Sequence, residues 1–144
     1  MKILLCGALM AWIAGVTTGS AQDFAAGYQV IRVVDAARNR QIHLDVWYPT
    51  LEQEKTHTYG LSAGRVAPEA TLTGTRLPLV VLSHGAMGAA SNYSWLAEYL
   101  ARRGNVVLGV SHFGESPVFG PDSVDVASVA RFGDRTRDVN YAVD

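Results

Sequence analysis

Five residues in the middle of the chain, His84, Gly85, Ala86, Met87 and Gly88, sit between an apolar run and a helical pattern. The glycines permit backbone angles and close approaches that a Cβ would block. The N–H groups of Ala86 and Met87 are therefore free to point into a cleft instead of along a strand ladder. Donors fixed in this way stabilise the negative oxygen of a tetrahedral intermediate. Losing one typically costs about 2.7–4 kcal/mol of transition-state stabilisation. His84 itself reads as a structural histidine that fixes the loop, not as a base.

The other chemistry-bearing residues make weaker constellations. His112 ends an apolar run and could line the same cleft, whereas His43 falls in a hairpin and His57 in a surface loop. No histidines and carboxylates share the spacing of a metal site, so no metal is expected. Asp134, Asp138 and Asp144 read as the solvated face of a terminal helix, and Trp95 and Tyr99 as core.

The elements that must position the loop follow from periodicity. Residues 28–48 read as an antiparallel hairpin: "YQVIRVVD" and "QIHLDVWY" both alternate, and "AARNR" joins them. In its second strand Ile42, Leu44, Val46 and Tyr48 share one face and Gln41, His43, Asp45 and Trp47 the other. Pro49 is expected to end that strand for want of an N–H. Residues 50–76 show no sustained period and read as a long surface loop. Residues 78–111 read as a βαβ unit. "PLVVLS" and "VVLGVS" are continuous apolar runs of the kind buried on both faces of a parallel sheet. Between them Ser91 or Asn92 can cap a helix, Glu98 and Arg102 form an i, i+4 pair, and Gly104 supplies the stop. A further helical segment spans about 124–144, with Val126, Val129, Val139 and Val143 among charges. In such open sheets ligands bind beyond the carboxyl ends of the strands, which is where His84–Gly88 falls.

Composition sets the outer bounds. The 144 residues are 49% hydrophobic and 17% charged, ordinary for one globular domain, and the formal charge of -1 gives no basic surplus for nucleic acid. Lys2 is the only charge before residue 22, and "ILLCGALMAWIAGV" is too short an apolar run to span a bilayer. Small residues follow, with Gly19 and Ala21 suited to cleavage before Gln22. Residues 1–21 therefore read as a secretory signal peptide, the protein as secreted or periplasmic, and no stable membrane anchor is expected. Cleavage leaves 11 basic residues against 13 acids and removes Cys6, the one cysteine, so no disulfide or thiolate site is expected in the exported chain.

Taken together, "RVVDAARNRQIHLDVWYP", "PLVVLSHGAMG", "NVVLGVSHFG" and "RTRDVNYAVD" resemble the N-terminal half of an α/β-hydrolase. The similarity is to the secreted bacterial group that includes dienelactone hydrolases and platelet-activating factor acetylhydrolases, and it covers roughly residues 28–144. The resemblance implies an α/β fold, an antiparallel hairpin leading into a parallel sheet with flanking helices. It implies a serine-type carboxylic ester hydrolase acting on a small ester or lipid, with no cofactor. In such enzymes the N–H just after His-Gly donates to the oxyanion, which here selects Ala86. The nucleophile follows in G-x-S-x-G on the next strand, and the triad acid and base come later still. This sequence has no G-x-S-x-G; "GESPV" is the nearest stretch, and Ser116 reads as a loop serine. Nucleophile, acid and base are therefore expected to be missing, and the chain to be a fragment cut before the nucleophile elbow and inactive alone.

Two readings from other classes stand beside it. A non-catalytic exported binding protein could reuse the fold. A dinucleotide-binding domain would need G-x-G-x-x-G, and Gly85 and Gly88 give only G-x-x-G. In the hydrolase reading, the "PLVVLS" strand lacks the neighbour that the nucleophile strand would provide. Its open edge is expected to pair or aggregate.

Overall fold

The computed structural model describes residues 23–144, so the expected signal peptide at 1–21 lies outside the described residues. Strand β1 (Ala25–Asp35) and strand β2 (Arg40–Thr50) form a long antiparallel ladder that begins at Ala25↔Thr50 and closes at Asp35↔Arg40. Strand β3 (Lys55–Tyr59) and strand β4 (Ser62–Pro68) follow, then β5 (Leu79–Ser83), helix α1 (Ser94–Ala101), β6 (Val106–His112) and helix α2 (Phe132–Val143). The six strands lie in the order β3-β4-β1-β2-β6-β5. β5 and β6 are parallel and joined through α1, whereas β2 meets β6 antiparallel.

Two apolar layers sandwich this sheet. Tyr28, Trp47, Val66 and Val107 pack under Ala97 and Ala101 of α1. On the opposite face Ile42, Leu44, Leu108 and Val110 meet Val139 and Ala142 of α2. The alternation read in β2 sorts its residues between these layers, but both faces are buried, because β2 is a central strand. His43 and Asp45 are consequently enclosed, and Asp45 accepts a 2.6 Å hydrogen bond from the Tyr28 hydroxyl.

Several expectations need correction. Pro49 does not end β2; it pairs with Ala26. Its carbonyl accepts the N–H of Thr73 at 2.8 Å, so its nitrogen faces the same way, beyond the reach of β6 and away from β1. No ladder bond is forfeited there. Residues 50–76 are not a featureless loop, since β3 and β4 form a hairpin whose two-residue turn has Gly60 at φ +58°. The hairpin is fastened from outside its own sequence. Trp47 Nε1 donates to the Tyr59 hydroxyl at 3.0 Å, and Arg102, the C-cap of α1, grips both Glu54, at 2.8 and 3.0 Å, and the Arg65 carbonyl.

The helices differ as well. Neither Ser91 nor Asn92 caps α1; both belong to a 3₁₀ turn (Ala90–Tyr93) that leads into it, and Tyr93 holds the cap position. Trp95 and Tyr99 are 69% and 48% exposed, because α1 lies close to the sheet and turns its alanines inward. The last helix starts at Phe132, not near 124: Asp125 instead caps a 3₁₀ turn by accepting the Ala127 N–H at 2.9 Å, and Val126 is exposed. Nor is β5 covered as a central strand would be. It is the edge of the sheet, with Leu79 half exposed.

Candidate active site

Parallel pairing sets Ser83 opposite Val110, so the ends of β5 and β6 emerge side by side, with His84 just beyond β5 and His112 the last residue of β6. The chain then turns sharply, and the Gly88 N–H donates to the Gly85 carbonyl at 3.1 Å. Ala86 and Met87 are the two central residues of that turn, and both are exposed. Among the described residues nothing accepts a hydrogen bond from either of their N–H groups.

The turn's conformational demand falls on an unexpected residue. Met87 has φ +60°, in the left-handed region, whereas Gly85 and Gly88 do not. Gly88 is needed for closeness: a Cβ there would stand 3.2 Å from the Gly85 carbonyl oxygen and 3.3 Å from the Asn92 amide. A Cβ on Gly85 would meet open space.

His84 holds this turn from behind. Its ring is 2% exposed; Nδ1 lies 2.7 Å from the Gly85 carbonyl, and Nε2 accepts the His112 backbone N–H at 3.0 Å. Only the neutral ring with its proton on Nδ1 satisfies both bonds. Burial favours that form and pushes the His84 pKa down. α2 adds a second grip: Arg135 donates to the His84 carbonyl at 3.0 Å while its guanidinium embraces Glu115 through both carboxylate oxygens.

Beside the loop, three further side chains are joined. The Ser83 hydroxyl lies 2.8 Å from His112 Nε2, and His112 Nδ1 lies 3.0 Å from Asp138 Oδ2. His112 and Asp138 are fully enclosed, whereas Ser83 is exposed. Asp138 is thus not on a solvated helix face. It accepts Arg40 at 2.8 Å on each oxygen and Arg38 at 2.9 Å. Burial alone would raise its pKa, but the bonds from His112, Arg40 and Arg38 prevail and bring it down to about 2. Its placement was readable after all: Arg135, Asp138, Val139 and Ala142 have the i, i+3, i+4, i+7 spacing of one helical face. Asp134 and Asp144 do remain at the surface side of α2.

The remaining candidates fall elsewhere. Ser116 is fully buried, and its hydroxyl caps the 3₁₀ turn Pro117–Phe119. His57 packs its ring 4.8 Å from that of Tyr28. Among the described residues no three His, Cys, Asp or Glu side chains cluster as a metal would require. A cavity of about 620 Å³ opens near the loop, between Gly60 and Leu61 of the β3–β4 turn and Ala89, Ser91 and Asn92.

The chain is similar to known proteins in two ways. Residues 58–121 match the family described as platelet-activating factor acetylhydrolase, isoform II. Among solved structures it resembles a ferulic acid esterase from Streptomyces cinnamoneus, with a TM-score of 0.73 and 23% identity over 88% of this chain and 48% of that one. The chain thus spans about half the length of that esterase. No curated protein sequence matches it.

Proposed function

We propose that this chain, which carries part of an α/β-hydrolase fold of the platelet-activating factor acetylhydrolase-like kind, forms the oxyanion side of a serine-type carboxylic ester hydrolase. The observation that carries the reading is the exposed, unengaged N–H of Ala86 at the carboxyl end of β5, held in place by the neutral, buried His84. When a serine attacks an ester, negative charge collects on the former carbonyl oxygen. A donor already aimed there needs no reorganisation as the barrier is crossed. Met87 N–H, next along the turn, extends the donor surface.

The nucleophile of this reading is a G-x-S-x-G serine supplied from outside these 144 residues, on a strand that hydrogen-bonds to the free edge of β5. The chain by itself then turns over no ester through that route. We read it as an exported protein, so the mature N-terminus should be Gln22, which N-terminal sequencing would check.

The test joins the chain to polypeptide bearing that motif, sought in the coding DNA beyond codon 144, and compares it with its Ala86→Pro variant. Ala86 holds the first central position of its turn, where proline is favoured, so the substitution deletes the donor and keeps the backbone. Hydrolysis should fall about 10²–10³-fold. Equal rates in a folded variant would overturn the oxyanion assignment. A joined protein that binds esters without cleaving them would favour the non-catalytic binding protein.

A further inference from the structure

The Ser83–His112–Asp138 chain belongs to no part of the reading above, yet it has the order of contacts that activates a serine. We infer that Ser83 is a nucleophilic hydroxyl that accepts an acyl group from an activated ester. Three observations support it. First, the Asp138 carboxylate lies 3.0 Å from Nδ1 of His112, which fixes the proton on Nδ1 and leaves Nε2 as an acceptor. With the ring neutral, the Ser83 hydroxyl, 2.8 Å away, donates to Nε2, which is the geometry of a general base about to take a serine proton. Second, burial divides along functional lines. The base and the carboxylate are fully enclosed, while the serine they serve is an exposed residue at the end of the edge strand. Third, Asp138 is locked from its other side by Arg38 and Arg40, so it holds the imidazole orientation and stays ionised.

The Ser83 oxygen bonds to the ester carbonyl carbon as its proton passes to His112 Nε2, and the carbonyl π electrons move onto oxygen. On collapse the bond to the alcohol oxygen breaks, and that oxygen takes the proton from His112. The products are the free alcohol and acyl-Ser83, with His112 returned to its starting form. A strand docked on β5 would cover Ser83, so the property belongs to the chain with that edge free.

The experiment treats the purified chain with p-nitrophenyl acetate and, separately, with a fluorophosphonate, followed by intact mass and peptide mapping. One adduct per chain should appear on Ser83. The exposed Ser62, whose hydroxyl bonds only the Tyr59 carbonyl, serves as the internal control and should react about 10²-fold more slowly. Ser83→Ala should abolish the adduct with an unchanged circular dichroism spectrum, and His112→Asn should slow it about 10²-fold if it folds. An unmodified chain, or Ser83 labelling no faster than Ser62, would overturn the inference and leave the three residues as a structural network. Either result comes from the unsubstituted chain, and neither depends on the Ala86→Pro comparison.

Discussion

His84 Nε2 accepts the backbone N–H of His112 at 3.0 Å, and the two rings lie 4.9 Å apart, centre to centre. One strand end thus reads the position of the other through a ring that must stay neutral. Protonating His84 would turn its acceptor into a donor facing another donor. The loop that presents Ala86 is therefore coupled to the register of β5 and β6, not merely to its own sequence.

Stability should accordingly depend on His84. Its folded pKa lies below its unfolded value of about 6.5, so the folded state binds fewer protons between the two. The contribution is complete above that unfolded value and declines as pH falls toward the folded one. Denaturant titrations between pH 8 and 5 should show this decline, and His84→Asn should remove it. Asparagine can still donate to the Gly85 carbonyl but cannot reach the His112 N–H. The variant should lose about 1–3 kcal/mol even at pH 8.

Asp138 should matter more. Replacing it with asparagine leaves Arg38 and Arg40 without their shared carboxylate, and His112 without its orienting partner. A loss of about 3 kcal/mol is expected for a buried pair broken from one side. In the unsubstituted protein the sign is that of a depressed acid. Stabilisation is present above the unfolded pKa of 3.8 and is lost as pH falls through about 2. The amount at stake is on the order of 2 kcal/mol. Acid titration of Asp138→Asn should lack that part of the transition.

Sequence patterns reached the parts of this molecule whose reasons are local. β2, β5 and β6 announce themselves by alternation or by unbroken apolar runs, and the His84–Gly88 turn by its glycines. β3 and β4 do not, because only Tyr59, Val66 and Ala67 of that hairpin are deeply buried, and Trp47 and Arg102 hold it from elsewhere in the chain, Arg102 through Glu54. The aromatic residues of α1 misled for a similar reason. Trp95 and Tyr99 have core-like chemistry, but a helix seated tightly on a sheet selects Ala97 and Ala101 for the contact. Ser83 and His112 lie 29 positions apart and meet only through the β5–β6 register. Nothing in either segment alone predicts their contact.

Met87 offers a test of strain at the turn. A non-glycine residue in the left-handed region carries a cost of about 1–3 kcal/mol, here at φ +60°. Met87→Gly removes that cost and adds backbone entropy to the unfolded chain, about 0.5–1 kcal/mol, so stability should hold or rise slightly. Met87→Val, β-branched and worse suited to this φ, should lose about 1–2 kcal/mol. Chemical denaturation that ranks valine above glycine would contradict a left-handed Met87 in this turn.

The free edge of β5 is open to a partner strand. β5 bonds to β6 on one side, and among the described residues no strand pairs with its other side, where Leu79 is 52% exposed. A row of unsatisfied N–H and C=O groups flanked by apolar side chains recruits other strands. The chain should therefore self-associate as its concentration rises, seen as growing apparent mass in light scattering. Leu79→Lys places a charge on that strand at little cost to folding, because the side chain is already half in water. It should shift the preparation toward monomer with an unchanged melting transition. A parent chain that stays monomeric at every concentration would show that the edge is protected by some feature other than a partner strand. It would also weaken the case that this edge is where a nucleophile-bearing strand docks.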